Sequence, residues 1–338
     1  MNVSASIIGL SGLSLTNKDI FYLQRINPYG VILFDRNILD KLQLSRLITS
    51  IKSLLNRDVS ILIDQEGGRV QRLKGPIWDQ YPSFRSIGLI YDNSHKLGKR
   101  AAYLTGSLIA DDLSEVGINV NCSPVLDLTF KKTHKVIGSR SFGNAYGKVS
   151  ELGISMSEGI INGGCVPLIK HIPGHGRANK DSHIDLPIVD TSLELLYKTD
   201  FKPFMNMNKL PLCMTAHVLY SDIDKFNPAT FSSAIIKLIR ESIKFCGIII
   251  TDDITMGALN GDMSSKISKT FLAGCDILLH CSSNNEEVYD NLKLIPKLNN
   301  KKLSHYMHLC KTKKSKVDRI SYQNELNILL KEIQIQIH

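Results

Sequence analysis

The sequence predicts an α/β fold, a single-domain (β/α)8 barrel of the TIM type, on three observations. Short apolar runs alternate with longer amphipathic segments along the chain. Most runs are too uniformly apolar to be half-exposed, as expected of parallel strands covered on both faces. Acids, histidines and a lysine collect where the runs end, which is where barrels carry their functional groups. A doubly wound open sheet is the other arrangement that such alternation allows.

Taken in order, the expected first strand is Ala5–Leu10, followed by a helix over Asn17–Ile26 with Thr16 as N-cap. Gly30–Phe34 is a second strand. Leu39–Asn56 is a helix, because Leu44, Leu47, Ile48, Ile51 and Leu55 recur at helical spacing. The strand Ser60–Asp64 precedes a long helix, Ser94–Val116, that Gly117 closes. Strand Ile118–Ser123 and helix Tyr146–Asn162 follow, the helix ending at Gly163-Gly164. Strands Cys165–His171, Leu212–His217, Gly247–Asp252 and Cys275–Cys281 alternate with helices Leu193–Asn208, Ser232–Phe245 and Ser264–Ala273. Three late helices are expected over Glu286–Leu298, Lys301–Lys314 and Asn324–Ile337.

A length of 338 residues alone suggests two domains, but single α/β barrels reach this size. Without a Pro/Ser-rich linker, a low-complexity tract or a repeat, residues 1–338 read as one domain. The helices from about residue 286 are expected to pack on the barrel. The net charge of +9 raises nucleic-acid binding as a reading, but the basic residues are dispersed. The densest cluster, Lys311-Thr-Lys-Lys-Ser-Lys316, lacks interleaved aromatics and reads as a solvated helix face. The seven cysteines contain no CxxC pair, several lie in apolar runs, and they read as reduced core thiols. No basic-then-apolar leader and no apolar run of ~18 residues is present, so a cytoplasmic protein that does not enter membranes is expected. A monomer is the default.

One stretch is densest in titratable groups and backbone breakers: Lys170-His-Ile-Pro-Gly-His-Gly-Arg-Ala-Asn-Lys-Asp-Ser-His-Ile-Asp-Leu-Pro187. It reads as a strand ending in Lys170-His171 and then a mobile loop. Asp181 two residues before His183 suggests a dyad, in which the carboxylate orients the imidazole for general acid and base work. His171, His175 and His183 also admit a zinc site, but Pro173-Gly174 argues against a helical HxxxH face. Asp252-Asp253 ends an apolar strand, so one carboxylate should face the barrel mouth and the other away. The mouth-facing acid is a candidate nucleophile, base or metal ligand; a helix cap is the plainer reading. In Asp64-Gln-Glu-Gly-Gly-Arg-Val-Gln-Arg72, Asp64 and Arg72 suit sugar hydroxyls, while Glu66 and Arg69 suit an internal salt bridge. Arg140 and His217 are ambiguous alone.

Together these segments resemble the family 3 glycoside hydrolases, in particular the bacterial β-N-acetylhexosaminidases of peptidoglycan recycling. The resemblance rests on Gly30-Val-Ile-Leu-Phe-Asp-Arg-Asn37, Asp64–Arg72, Ser123-Pro-Val-Leu-Asp127, Ile137-Gly-Ser-Arg-Ser-Phe142, Lys170–Gly176 with Asp181-Ser-His183, and Thr251-Asp-Asp-Ile-Thr-Met256. They span the chain in order to about Cys281, and Lys-His-x-Pro-Gly-His-Gly…Asp-Ser-His is the most specific. Ile172 stands where Phe is usual in the family, and Thr255 departs within its motif; neither removes a functional group. The resemblance implies Asp252 as nucleophile, His183 as acid/base and Asp181 as its orienting partner. It implies that Asp64, Arg72, Arg140, Lys170 and His171 bind N-acetylglucosamine. It implies muropeptide fragments as glycan substrates, no metal and no cofactor. The competing expectations are a metal-dependent barrel hydrolase using His171, His175 and Asp252, a nucleic-acid-binding protein, and a barrel that binds sugar without turnover.

Overall fold

The eight expected strands close on themselves. The computed structural model describes residues 2–310 and 314–337. Its barrel strands are β1 (Val3–Gly9), β2 (Pro28–Leu33), β3 (Ser60–Ile63), β4 (Val120–Asn121), β5 (Val166–Ile172), β6 (Leu212–Thr215), β7 (Ile248–Asp253) and β8 (Ile277–His280). Neighbours pair in parallel around the barrel, and β8 pairs with β1 in the register Ser6↔Leu278, Ile7↔Leu279, Ile8↔His280. That last pairing makes the fold a (β/α)8 barrel and removes the open-sheet alternative. Every residue of β1, β2, β3 and β5 is buried, which accounts for their lack of polar alternation. Each large side chain here, such as Ile169 at 0% exposure, would cost about 2–5 kcal/mol to truncate to alanine.

The helices begin and end on local signals. The first helix, α1 (Asn17–Ile26), opens on a capping box. The Asp19 amide donates to Thr16 Oγ1 (3.1 Å) and the Thr16 amide to Asp19 Oδ2 (2.9 Å). Next, α2 (Lys41–Leu55) starts two residues later than expected because Asp40 Oδ1 accepts the Gln43 amide and caps it. A helix not anticipated from sequence, α3 (Phe84–Asn93), runs directly into α4 (His95–Val116), with Ser94 capping the second. The fifth is α5 (Tyr146–Asn162).

The expected helix Leu193–Asn208 is two, α6 (Leu193–Lys198) and α7 (Lys202–Asn206). It breaks at Thr199-Asp200, whose side chains turn to Arg177 instead, and Pro203 sits at the start of α7. Two more, α8 (Ser233–Glu241) and α9 (Met263–Ala273), flank β7.

The expected helix Glu286–Leu298 also differs. It is α10 (Glu286–Asp290), a 3-10 turn and a short strand, Lys297–Leu298, antiparallel to the start of β1. Pro296 has no amide to continue a helix, and its carbonyl accepts the Ala5 amide at 2.9 Å. Finally α11 (Asn300–Leu309) precedes α12 (Arg319–Ile337), which packs on α3 and α4. Arg100 there forks onto Glu325 at 2.8 and 2.7 Å, and Arg319 reaches Asp112 at 2.7 Å. Of the basic cluster at 311–316, Lys311 and Lys313 lie outside the described residues. Lys314 is not helical; it pairs with Asp111 at 2.8 Å. Among the described residues no helix is long and apolar enough to cross a membrane.

Candidate active site

The C-terminal ends of the strands bring the sequence-selected groups around one cavity of about 170 Å³. Asp64, just past β3, lines it, as do Lys170 and His171 from β5 and Asp252 from β7. Arg72, Arg140 and His183 reach it from loops. Asp181 does not line it but holds His183.

One wall is a buried charge network. Lys170 Nζ donates to Asp64 Oδ1 at 2.7 Å and pairs with Glu66 Oε1 at 2.8 Å. Arg140 forks onto the two Glu66 oxygens at 2.9 and 2.8 Å. Arg72 approaches Asp64 Oδ2 at 3.4 Å. Burial alone would raise the carboxyl pKa of Asp64, but Lys170 and Arg72 overcome it and hold the group well below the carboxylate range. Burial would lower that of Lys170, and Asp64 and Glu66 instead hold it raised. The set is therefore fully charged and fixed. Glu66 is part of this frame, but the expected salt bridge to Arg69 does not form: its partners are Arg140 and Lys170. Arg69 is also tied down, donating to the backbone carbonyls of Lys135 (2.9 Å) and Val136. Arg140 lines the cavity with much of its guanidinium committed, Nη1 going to the Val136 carbonyl at 3.1 Å.

A second wall rests on Asp127, the last residue of Ser123-Pro-Val-Leu-Asp127, to which the sequence alone assigns no role. Asp127 is fully buried; its Oδ2 lies 2.7 Å from His171 Nδ1, and its Oδ1 accepts the His175 amide at 2.6 Å. It lies six residues past β4, outside the strand-end position that selected Asp64 and Asp252, and the bridge of Val125 to Lys170 carries it alongside β5. The loop base leaves β5 through Gly174, at φ 140°, and Gly176, where a Cβ would stand 1.8 Å from the Leu128 carbonyl oxygen. His175 Nε2 meets Ser182 Oγ at 3.1 Å. Burial and the neighbouring His171 push its pKa down to about 4, so the ring is neutral near pH 7.

The two adjacent acids of β7 separate as strand alternation requires. Asp253 turns away: its Oδ1 accepts the Thr255 and Cys281 amides, both at 3.1 Å, and its Oδ2 the Thr255 hydroxyl at 2.6 Å. Asp252 faces the cavity, and its Oδ1 accepts the Asp253 amide at 2.8 Å. Burial would raise the Asp252 pKa, but His217, His171, that amide and Lys170 together hold it below the usual value. His217 is a packed histidine, bonded to Thr230 Oγ1 (2.7 Å) and the Asp253 carbonyl (2.9 Å).

The loop tip forms the expected dyad. Asp181 Oδ1 accepts both the His183 amide (3.0 Å) and its Nδ1–H (2.8 Å), which leaves Nε2 as the other ring nitrogen. The ring is 62% exposed and borders the same cavity as Asp252. The zinc arrangement does not form. The three loop histidines turn to Asp127, Ser182 and Asp181 respectively. Among the described residues no group of three or more His, Cys, Asp or Glu is placed to hold a metal.

Comparison with known proteins agrees with this geometry. Residues 22–318 match the glycosyl hydrolase family 3 N-terminal domain. The chain is 36% identical over 280 residues to a beta-hexosaminidase of Idiomarina loihiensis, covering 82% of this chain and 83% of that one. It is 32% identical over 300 residues to a beta-hexosaminidase of Methylobacillus flagellatus, covering 87% and 85%. Among solved structures it superposes on NagZ from Neisseria gonorrhoeae in complex with N-trifluoroacetyl-D-glucosamine. The TM-score is 0.87 at 30% identity, with 98% of each chain covered. The barrel, the loop dyad and the acid at the end of β7 thus occur in a chain that belongs to glycosyl hydrolase family 3 and is a glycosidase.

Proposed function

We propose that this glycosidase is a retaining β-N-acetylhexosaminidase. It removes terminal N-acetylglucosamine from peptidoglycan fragments, namely GlcNAc-β-1,4-anhydro-MurNAc with or without peptide. The reading is carried by one observation: an ionised Asp252 and the His183 imidazole border the same small cavity, whose wall is a fixed set of charged donors and acceptors. The beta-hexosaminidase names of the relatives and the N-acylglucosamine ligand of the gonococcal neighbour support it.

Sugar hydroxyls are held by Asp64, Lys170, His171, Arg72 and Arg140. Protonated His183 gives its Nε2 proton to the leaving glycosidic oxygen while Asp252 attacks the anomeric carbon. The C–O bond breaks and an Asp252 glycosyl ester forms. Neutral His183 then takes a proton from water, which attacks the same carbon and releases the sugar with its configuration retained. Asp181 stabilises the imidazolium at the first step. Most glycosidases use two carboxyl groups; here an imidazole replaces the acid/base one. No metal or organic cofactor takes part. We place the reaction in the cytoplasm, in a monomer whose whole chain is one catalytic domain.

The test compares p-nitrophenyl β-N-acetylglucosaminide with p-nitrophenyl β-glucoside. Preference for the first is expected; preference for the glucoside would overturn the hexosaminidase reading.

A further inference from the structure

We propose that the turn after Asp252, through the backbone amides of Gly257 and Ala258, is the cradle that positions the acid/base dyad. The proposal rests on the reading of His183 as acid/base. The Gly257 amide donates to the His183 carbonyl and the Ala258 amide to the Ser182 carbonyl, both at 3.0 Å. A Cβ at Gly257 would stand 2.6 Å from the Ile184 carbonyl oxygen and 2.8 Å from that of His183, so only glycine admits the docked loop.

The tip that docks is a rigid unit. The Asp181 carbonyl accepts the Ile184 and Asp185 amides at 3.0 Å, closing a single turn, and its carboxylate holds the His183 amide and ring. Little apolar burial holds this turn in place: Ile184 is 78% exposed and His183 62%. Its placement therefore falls to these two backbone bonds and to Ser182 Oγ, which meets the buried His175 ring.

The cradle itself is fixed to the barrel. Ile254 donates its amide to the Leu279 carbonyl at 3.1 Å, and the Met256 amide bonds the Asp253 carbonyl at 3.1 Å. Asp253 pins Thr255 from below. Asp252 and the dyad thus share one frame, although they come from different strands and lie about seventy residues apart. Gly257 is a positioning residue: it touches the loop, not the sugar.

The test measures kcat/KM for wild type, Gly257→Ala, Ser182→Ala and His183→Ala on two substrates. One is the p-nitrophenyl β-N-acetylglucosaminide, whose leaving group needs little protonation; the other is an alkyl β-N-acetylglucosaminide, which needs a proton. The expected result is selective loss in Gly257→Ala: less than about threefold on the aryl substrate and at least about thirtyfold on the alkyl one, a partial loss of the ~10²–10⁴ that a general acid supplies. Ser182→Ala should show a smaller shift in the same direction and carries the test if Gly257→Ala does not fold. Selective loss in His183→Ala with a wild-type ratio in the folded cradle variants would overturn the cradle. So would an equal loss on both substrates in those variants, which a merely structural role would give. Absence of selectivity in His183→Ala itself would overturn the acid/base reading on which the cradle depends.

Discussion

Asp127 and His171 form a buried pair, Oδ2 to Nδ1 at 2.7 Å, at the point where β5 passes into the loop of residues 173–187. The pair fixes the tautomer: an ionised Asp127 accepts, so Nδ1 carries the proton and Nε2 is the remaining polar atom of the ring. Burial would raise the Asp127 pKa, but His171 and the His175 amide hold it lowered. Asp127→Asn keeps the shape and removes the charge. A charge-assisted bond is worth about 1.5–3 kcal/mol, so kcat/KM should fall roughly 10–100-fold. Steady-state kinetics of the folded variant at wild-type values would contradict the pairing's role.

Glu66 is the counter-charge shared by Arg140 and Lys170, and its side chain is 2% exposed. Glu66→Ala leaves two buried cations with one carboxylate fewer. Removing one partner from a buried network costs about 3–5 kcal/mol. Urea unfolding should show a loss of that order, whereas a change under 1 kcal/mol would mean that water replaces the carboxylate.

His175 gives a pH dependence with a definite sign. Its folded pKa is pushed down to about 4 from the usual 6.5, mainly by burial. Between those values the unfolded chain binds the proton more readily than the native one. Stability is therefore complete above pH ~6.5 and is lost as pH falls towards 4, by at most about 3 kcal/mol from this group. His175→Gln should flatten the dependence of Tm on pH in that window without abolishing it. His217 and His280, also buried with lowered pKa values, act in the same direction. An equally steep profile in His175→Gln would contradict the assignment.

Asp252→Ala removes the proposed nucleophile and leaves the wall of Asp64, Lys170 and His171 intact. Turnover should fall at least about 10³-fold, as when other enzymes lose a nucleophile. N-acetylglucosamine should still bind in calorimetry. Near-normal turnover would contradict the role of Asp252.

Sequence and structure agree where one local signal decides. The uniform apolarity of Ile248–Ile250 announces a strand covered on both faces, and the acids that follow announce its functional end. Helix α1 was legible to the residue because Thr16 and Asp19 cap it locally. Agreement fails where a distant partner decides. The break at Thr199-Asp200 serves Arg177, which also lies over the Phe130 ring at 4.0 Å. The strand Lys297–Leu298 exists because β1 offers it an edge. Helix α3 is not separable in the sequence because it joins α4 at Ser94, which ends the first and caps the second without a gap. In the site, the dyad was legible from a two-residue spacing. The meeting of Asp127 with His171, across 44 residues of sequence, was not.

The central claim is covalent attack by Asp252. His183→Ala should form the glycosyl-enzyme from the p-nitrophenyl substrate and then hydrolyse it slowly, because no base activates water. Intact-mass spectrometry of that variant, quenched during turnover, should show one added N-acetylglucosaminyl group, and peptide mapping should place it on Asp252. Turnover with no adduct, or an adduct on any other residue, would contradict the account.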